Sequence, residues 1–223
     1  MSKFVRTSKY RHVFAPTPKR DGVYEGIKLT KQAWDSNFII ANPKWIAVAW
    51  QVAGGGAVGV LRVGDYGRHD TVPLFSGHKG PVLDLDFNPF NDNIFATASE
   101  DCFSKVWVIP EGGIKENVEE AAQTLKGHKR KVGSIRFNPI AENILATAGT
   151  DYDIKVWDIS TGDCKNTTTG HGGIIQSLEW NYDGSNLVTY CKDKKLRVLD
   201  PRTAAVAAVR SPLSKSYLGP FPP

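Results

Sequence analysis

Cysteine is scarce. Only Cys102, Cys164 and Cys191 occur in 223 residues, an odd number set far apart, which excludes a disulfide framework as the organising device. No apolar run approaches the roughly 20 residues that a membrane span requires. The N-terminal stretch MSKFVRTSKYRHVF is basic but has no apolar segment of the kind a secretory signal needs. Signatures of catalysis are missing as well. The chain contains no HExxH, GxSxG or CxxC pattern, and no phosphate-binding loop with its Lys-Ser/Thr. The glycine triplet at 54–56 has no such continuation, and it reads as a hairpin turn between apolar runs. These absences point to a soluble intracellular binding protein without metal or cofactor, and not to an enzyme.

What is present is self-similarity. IFATASEDCFSKVW (94–107) returns as ILATAGTDYDIKVW (144–157), each within a longer segment that opens on Gly-His, at Gly77 and at Gly127. A third copy opens at Gly170. His78 to Trp107 and His128 to Trp157 both span 29 positions, and His171 to Leu199 spans 28. Repeats of this length indicate stacked supersecondary units. Within each unit the pattern has period two: Leu83, Leu85 and Phe87 alternate with Val82, Asp84 and Asp86, as a half-buried strand would. Asn-Pro at 88–89 and 138–139 and Asp-Gly at 183–184 mark the turns that follow. Two more strands and a fourth before the next Gly-His complete the unit. Cys102 and Cys191, in or beside strands, read as small core residues.

Four short strands per repeat, opening on Gly-His and closing on Trp-Asp, resemble the WD-repeat family of β-propellers. In that family a histidine, a Ser or Thr, a turn Asp and a Trp form a hydrogen-bonded set that locks one blade. The resemblance assigns that structural role to His78, Thr97, Asp101 and Trp107, and again to His128, Thr147, Asp151 and Trp157. The third copy keeps His171, Thr189 and Asp193 but has Leu199 in place of the Trp, which leaves that set incomplete. Histidines that recur at one repeat position read as architecture, so the case for catalysis is weak.

Residues 16–75 match the repeat poorly yet are strand-like, and they read as a divergent first blade. Trp34-Asp35 precedes a strand instead of ending one, and it reads as coincidental to the repeat. SKYRHVF (8–14), YEGIK (24–28), WDSNFIIANPKWIAV (34–48), GGGAVGVL (54–61) and CKDKKLRVLDPR (191–202), together with the repeats, resemble coronin over about residues 4–210. That resemblance implies an all-β propeller with about four blades of a seven-bladed fold, in an open arc. It implies a closing-strand segment at 1–15, the first blade at 16–75 and WD-repeat blades at 76–210. The stretch TAAVAAVRSPLSKSYLGPFPP shows neither blade periodicity nor heptads, and 211–223 is expected to form a Pro-rich disordered tail. The family's coiled coil is not seen, so stable filament bundling is not expected.

Coronins are F-actin-binding proteins of the cortical cytoplasm that also engage the actin-nucleating complex of actin-related proteins. Their contact surface is basic, and the net charge of +5 suits an acidic partner. The resemblance places a contact on Lys28. Lys129, Arg130 and Lys131 lie in a loop at a blade rim, where they either extend a basic contact face or form an ordinary solvated charge run. This cluster has no interleaved aromatics, which argues against nucleic acid. Two readings remain: an actin-binding protein of the coronin type, or a general WD-repeat adaptor that presents its rim to other proteins. A propeller-fold hydrolase finds no catalytic constellation.

Overall fold

A computed structural model of the protein describes residues 19–210. The expected closing strand at 1–15 and the tail at 211–223 lie outside these residues. After a 3-10 turn at Arg20–Gly22 come β1 (Tyr24–Glu25), β2 (Ile39–Ala41), β3 (Trp45–Trp50), β4 (Gly56–Arg62), β5 (Gly67–Arg68) and β6 (Leu74–His78). Blade 1 is the antiparallel sheet β2-β3-β4-β6, while β1 and β5 pair in parallel outside it. Blade 2 consists of β7 (Val82–Phe87), β8 (Ile94–Ser99), β9 (Phe103–Val108) and β10 (Gln123–Lys126). Blade 3 consists of β11 (Val132–Phe137), β12 (Ile144–Gly149), β13 (Ile154–Asp158) and β14 (Asp163–Thr168). Blade 4 consists of β15 (Ile175–Trp180), β16 (Leu187–Cys191), β17 (Leu196–Asp200) and β18 (Ala205–Arg210). Among the described residues no helix is long and apolar enough to cross a membrane.

Successive blades stack face to face, and three apolar clusters fill the junctions. Phe75, Val82, Leu85, Phe95 and Trp107 join blades 1 and 2. Ala96, Ala98 and Val106 meet Val132, Ile135 and Leu145 between blades 2 and 3. Ala146, Ile154 and Val156 meet Ile175, Leu178, Leu187 and Leu199 between blades 3 and 4.

This stacking corrects the half-buried reading of β7. Val82 to Asp84 and Leu85 are all buried, and Asp84 is only 4% exposed. Alternation does separate two faces, but both faces meet protein because each inner strand lies against its neighbours in the stack. Ala205–Arg210 is a further correction. It lacks periodicity yet forms the outermost strand of blade 4, exposed at every position. With solvent on both sides, nothing imposes a period of two.

The sequence repeat and the blade are out of phase. His78 ends β6, where its backbone pairs with Gly56 of blade 1, while its side chain enters blade 2. Blade 2 also has a long connection between β9 and β10. From it, Val118 accepts a hydrogen bond from the Ser76 N–H (2.8 Å) and donates one to the Leu74 carbonyl (2.9 Å), clipping blade 2 onto the outer strand of blade 1.

Candidate functional site

The four-residue sets form as the sequence suggests in blades 2 and 3. His78 Nδ1 lies 2.8 Å from Asp101 Oδ2 and Nε2 lies 2.7 Å from Thr97 Oγ1, while the Trp107 indole N–H donates to the same hydroxyl at 2.9 Å. A carboxylate only accepts, so Nδ1 carries the proton. The Thr97 hydroxyl then donates to Nε2 and accepts from Trp107. In blade 3, His128, Asp151, Thr147 and Trp157 repeat the arrangement at 2.8–3.1 Å. Burial works to raise the Asp151 carboxyl, but hydrogen bonds from His128 and from the Lys129 N–H outweigh it and hold the group down at about 2. Every polar atom in these sets has a structural partner, and these residues lock the β-hairpin to the strand before it.

Blade 4 departs from this. His171 Nε2 reaches Thr189 Oγ1 at 3.1 Å, but Nδ1 makes no well-formed hydrogen bond, only a loose approach to the Tyr152 carbonyl. Asp193 is taken by Arg197, whose two guanidinium nitrogens reach it at 2.5 and 3.2 Å. That pair holds the Asp193 carboxyl well below the usual range. Arg197 occupies the position of Lys105 and Lys155, which instead extend to Thr124 and Thr167 on the outer strand. Its cross-strand neighbour is Val209, which offers no hydroxyl.

The inner strands carry a charge network that periodicity alone did not assign. Asp84 accepts from Arg136 (2.7 Å), from the Ile135 N–H (3.0 Å) and from the Ser36 hydroxyl (2.9 Å), and Arg136 also reaches Glu179 at 3.1 Å. Asp86 accepts from the Phe137 N–H at 2.8 Å, and burial raises its carboxyl to about 7. Asp84, Arg136 and Glu179 thus tie together the inner strands of blades 2, 3 and 4.

The segment before β2 crosses this network. Trp34 donates from its indole to the Gly133 carbonyl at 2.9 Å. A Cβ on Gly133 would sit 2.4 Å from the Trp34 ring, so only glycine admits it. Trp34-Asp35 is therefore no repeat signature, but it is more than coincidence: it anchors blade 1 to the inner strand of blade 3.

Strand direction places the turns at two ends of the stack. The 79–81, 127–131 and 192–195 connections share an end with the β3–β4 hairpin, and Lys28 joins them because its carbonyl accepts from the Gln51 N–H at 2.8 Å. Lys28, Lys79, Lys129, Arg130, Lys192 and Lys194 are all exposed there. Lys131, also exposed, lies at the same end and is paired with Glu100 of the neighbouring blade at 2.5 Å. Three of the acids at this end, Asp101, Asp151 and Asp193, are engaged by His78, His128 and Arg197. The opposite end has the reverse character, with Asp92, Glu111, Glu116 and Glu142 in its turns.

The cysteines do not form a site. Cys191 is buried, Cys164 is exposed, and Cys102 is half-buried in the β8–β9 turn. Burial and the carboxylates of Asp101 and Asp151 raise the Cys102 thiol, which disfavours a thiolate nucleophile.

Comparison with known proteins adds the following. A model of a domain of unknown function (DUF1899) matches residues 3–68, and the WD domain, G-beta repeat, matches 70–108, 119–158 and 162–200. Coronin-A of Dictyostelium discoideum is 58% identical over 206 residues, which make up 92% of this chain and 46% of that protein. The solved WD40 domain of a Toxoplasma gondii coronin superposes with a TM-score of 0.81 at 32% identity, covering 84% of this chain and 48% of the other. The chain spans about half the length of the relatives it matches.

Proposed function

The chain belongs to the WD-repeat family, and on that premise, with coronin the relative it resembles along most of its length, we propose that it binds filamentous actin through the basic end of its blades. The observation that carries this reading is the gathering of Lys28, Lys79, Lys129, Arg130, Lys192 and Lys194 at one end of the stack, from turns far apart in sequence. A surface of one sign attracts a partner of the opposite sign, and it does so most strongly at low ionic strength. Lys28 is the contact we assign first, with Lys129 and Arg130 as its extension. The reading is one of binding and not of catalysis: His78 and His128 and the turn aspartates Asp101, Asp151 and Asp193 are engaged within the blades. Filament organisation and turnover at the cell cortex follow from this reading, as does any contact with the actin-nucleating complex.

Co-sedimentation with filamentous actin at about 50 and about 200 mM salt tests it, since screening weakens exposed charge pairs. Pelleting is expected at the lower salt and should fall at the higher. Lys28→Glu should weaken pelleting while shifting stability by no more than about 0.5 kcal/mol, because the residue lies on the surface. A variant that pellets as the parent does removes Lys28 from the contact. No pelleting of the parent at low salt would favour a general WD-repeat adaptor.

A further inference from the structure

Tyr152 sits at the tip of the β12–β13 turn of blade 3, at the basic end. Its backbone is left-handed, with φ at 73°. A Cβ in that conformation crowds the neighbouring carbonyl, and a bulky side chain is rarely found there. The corresponding turns of the other blades are left-handed too, at Gly54 (78°), Cys102 (70°) and Lys194 (63°). The turn therefore demands the conformation, and glycine or asparagine would supply it at least strain. Blade 1 has the glycine. Blade 3 has a tyrosine.

What Tyr152 does for the fold, it does with its backbone. Its N–H donates to the Gly149 carbonyl at 3.1 Å, and its own carbonyl approaches His171. Any residue that reaches this φ would do the same. The side chain is 39% exposed and belongs to none of the three apolar clusters. A strained backbone that carries a ring the core does not use argues for a role outside the fold.

The neighbours of the turn say which role. Asp151 accepts from the Lys129 N–H at 2.8 Å, and the Thr150 N–H donates to the Lys131 carbonyl at 2.8 Å. These bonds fasten the tip to the loop that carries Lys129 and Arg130, both exposed. Charge attracts an acidic partner from a distance but weakens with salt. An aromatic ring taken out of water adds attraction that salt does not screen, and tyrosine is enriched among the residues that carry most of an interface's energy. A ring on a fixed turn also loses little freedom when it is covered. We propose that Tyr152 is the apolar anchor of the filament contact, its ring covered by the partner while Lys129 and Arg130 form the charged rim beside it. This inference rests on the actin reading above, to which it adds a residue whose contribution does not depend on ionic strength.

Tyr152→Gly separates fold from contact, because it relieves the backbone and removes the ring. Its melting temperature should equal or exceed the parent's. Its affinity for filamentous actin in co-sedimentation should fall about 10-fold, by the same factor at about 50 and about 200 mM salt. Tyr152→Asn also accepts the left-handed conformation and should behave alike, which guards against a glycine that merely loosens the tip. Tyr152→Phe keeps the ring and should bind within about 3-fold of the parent. Lys129→Ala should instead weaken binding chiefly at the lower salt. If the parent pellets and Lys28→Glu weakens it, while Tyr152→Gly and Tyr152→Asn pellet as the parent does, the anchor is overturned and the actin reading stands. Binding lost together with melting temperature in both variants would assign the ring to the fold, and binding lost in Tyr152→Phe would assign the effect to the hydroxyl. Either result overturns the proposal. A parent that does not pellet at low salt removes the actin reading and this inference together.

Discussion

In blade 3 the imidazole of His128 is held between Asp151 and Thr147, with the Trp157 indole closing the set on the Thr147 hydroxyl. In blade 4 the imidazole of His171 keeps only Thr189, a leucine stands where the indole would be, and Arg197 has taken the aspartate. The strand order is the same in both. The contrast shows that the blade does not depend on one particular network. What it requires is that the turn aspartate accept from some buried donor, and the guanidinium of Arg197 meets that need as an imidazole N–H does. The substitutions occur together. A lysine becomes Arg197, its outer-strand acceptor becomes Val209, and the indole becomes Leu199.

Imposing the arrangement of blade 4 on blade 3 should give the largest effect. Trp157→Leu removes a fully buried indole and its hydrogen bond to Thr147, and it is expected to lower stability by about 3 kcal/mol in chemical denaturation. A loss below about 1 kcal/mol would show that leucine serves equally well and that the contrast is only one of sequence. Asp151→Ala should follow, at roughly 1–3 kcal/mol, since it leaves His128 Nδ1 without an acceptor. Because Asp151 titrates at about 2 in the fold, against the 3.8 of a free carboxyl, it adds stability above about pH 4 that disappears as pH falls toward 2. The variant should therefore lose less stability than the parent over that window. A full-strength acid limb in the variant would assign it to other carboxylates.

Asp86 gives a contrast of opposite sign. Its carboxyl is raised from 3.8 to about 7 by burial, so the fold holds a proton that the unfolded chain releases. Stability should fall as pH rises from about 4 to 7. Asp86→Asn keeps an acceptor for the Phe137 N–H and should raise stability by about 1–2 kcal/mol at pH 8, with no gain at pH 3. Equal effects at both pH values would mean that Asp86 is ionised throughout.

The smallest effect is expected from Arg197→Lys, which gives blade 4 the residue of blades 2 and 3. Released from the guanidinium, Asp193 can accept from His171 Nδ1, at a stability change within about 1 kcal/mol. In the parent, burial and then Arg197 lower the His171 pKa. The fold therefore disfavours the charged ring, and stability is lost as pH falls below about 6.5. The variant should titrate His171 at a higher pH by nuclear magnetic resonance and lose less stability on the acid side. An unchanged titration would show that Arg197 does not set the state of the ring.

The repeat and its four strands per blade were legible in the sequence from recurrence at fixed spacing, while the tetrads of blades 2 and 3 and the gap left by Leu199 were named through the resemblance to WD repeats. Other features were not. Period two separates the faces of β7 but does not say what covers each face, so Asp84 read as solvent-facing although Arg136, Ser36 and the Ile135 N–H surround it. The rewiring by Arg197 involves a residue four positions from Asp193, close enough to notice, yet Lys and Arg read alike in a charge pattern. Lys28 and the 129–131 cluster were singled out separately, but only alternating strand direction puts them at one end with Lys79 and Lys192. The role of Trp34 had no local signal, since its partner lies far along the chain.

That distance has a consequence for the order in which the protein takes shape on the ribosome. The acceptor of the Trp34 indole, the Gly133 carbonyl, follows it by 99 residues. At roughly 5–20 residues per second, Trp34 emerges about 5–20 s before the residue it must meet. Blade 1 can pair its strands in that interval, but the stretch carrying Trp34 stays exposed to solvent and to chaperones until blade 3 is complete, and only then does the first-made part of the molecule acquire its final anchorage.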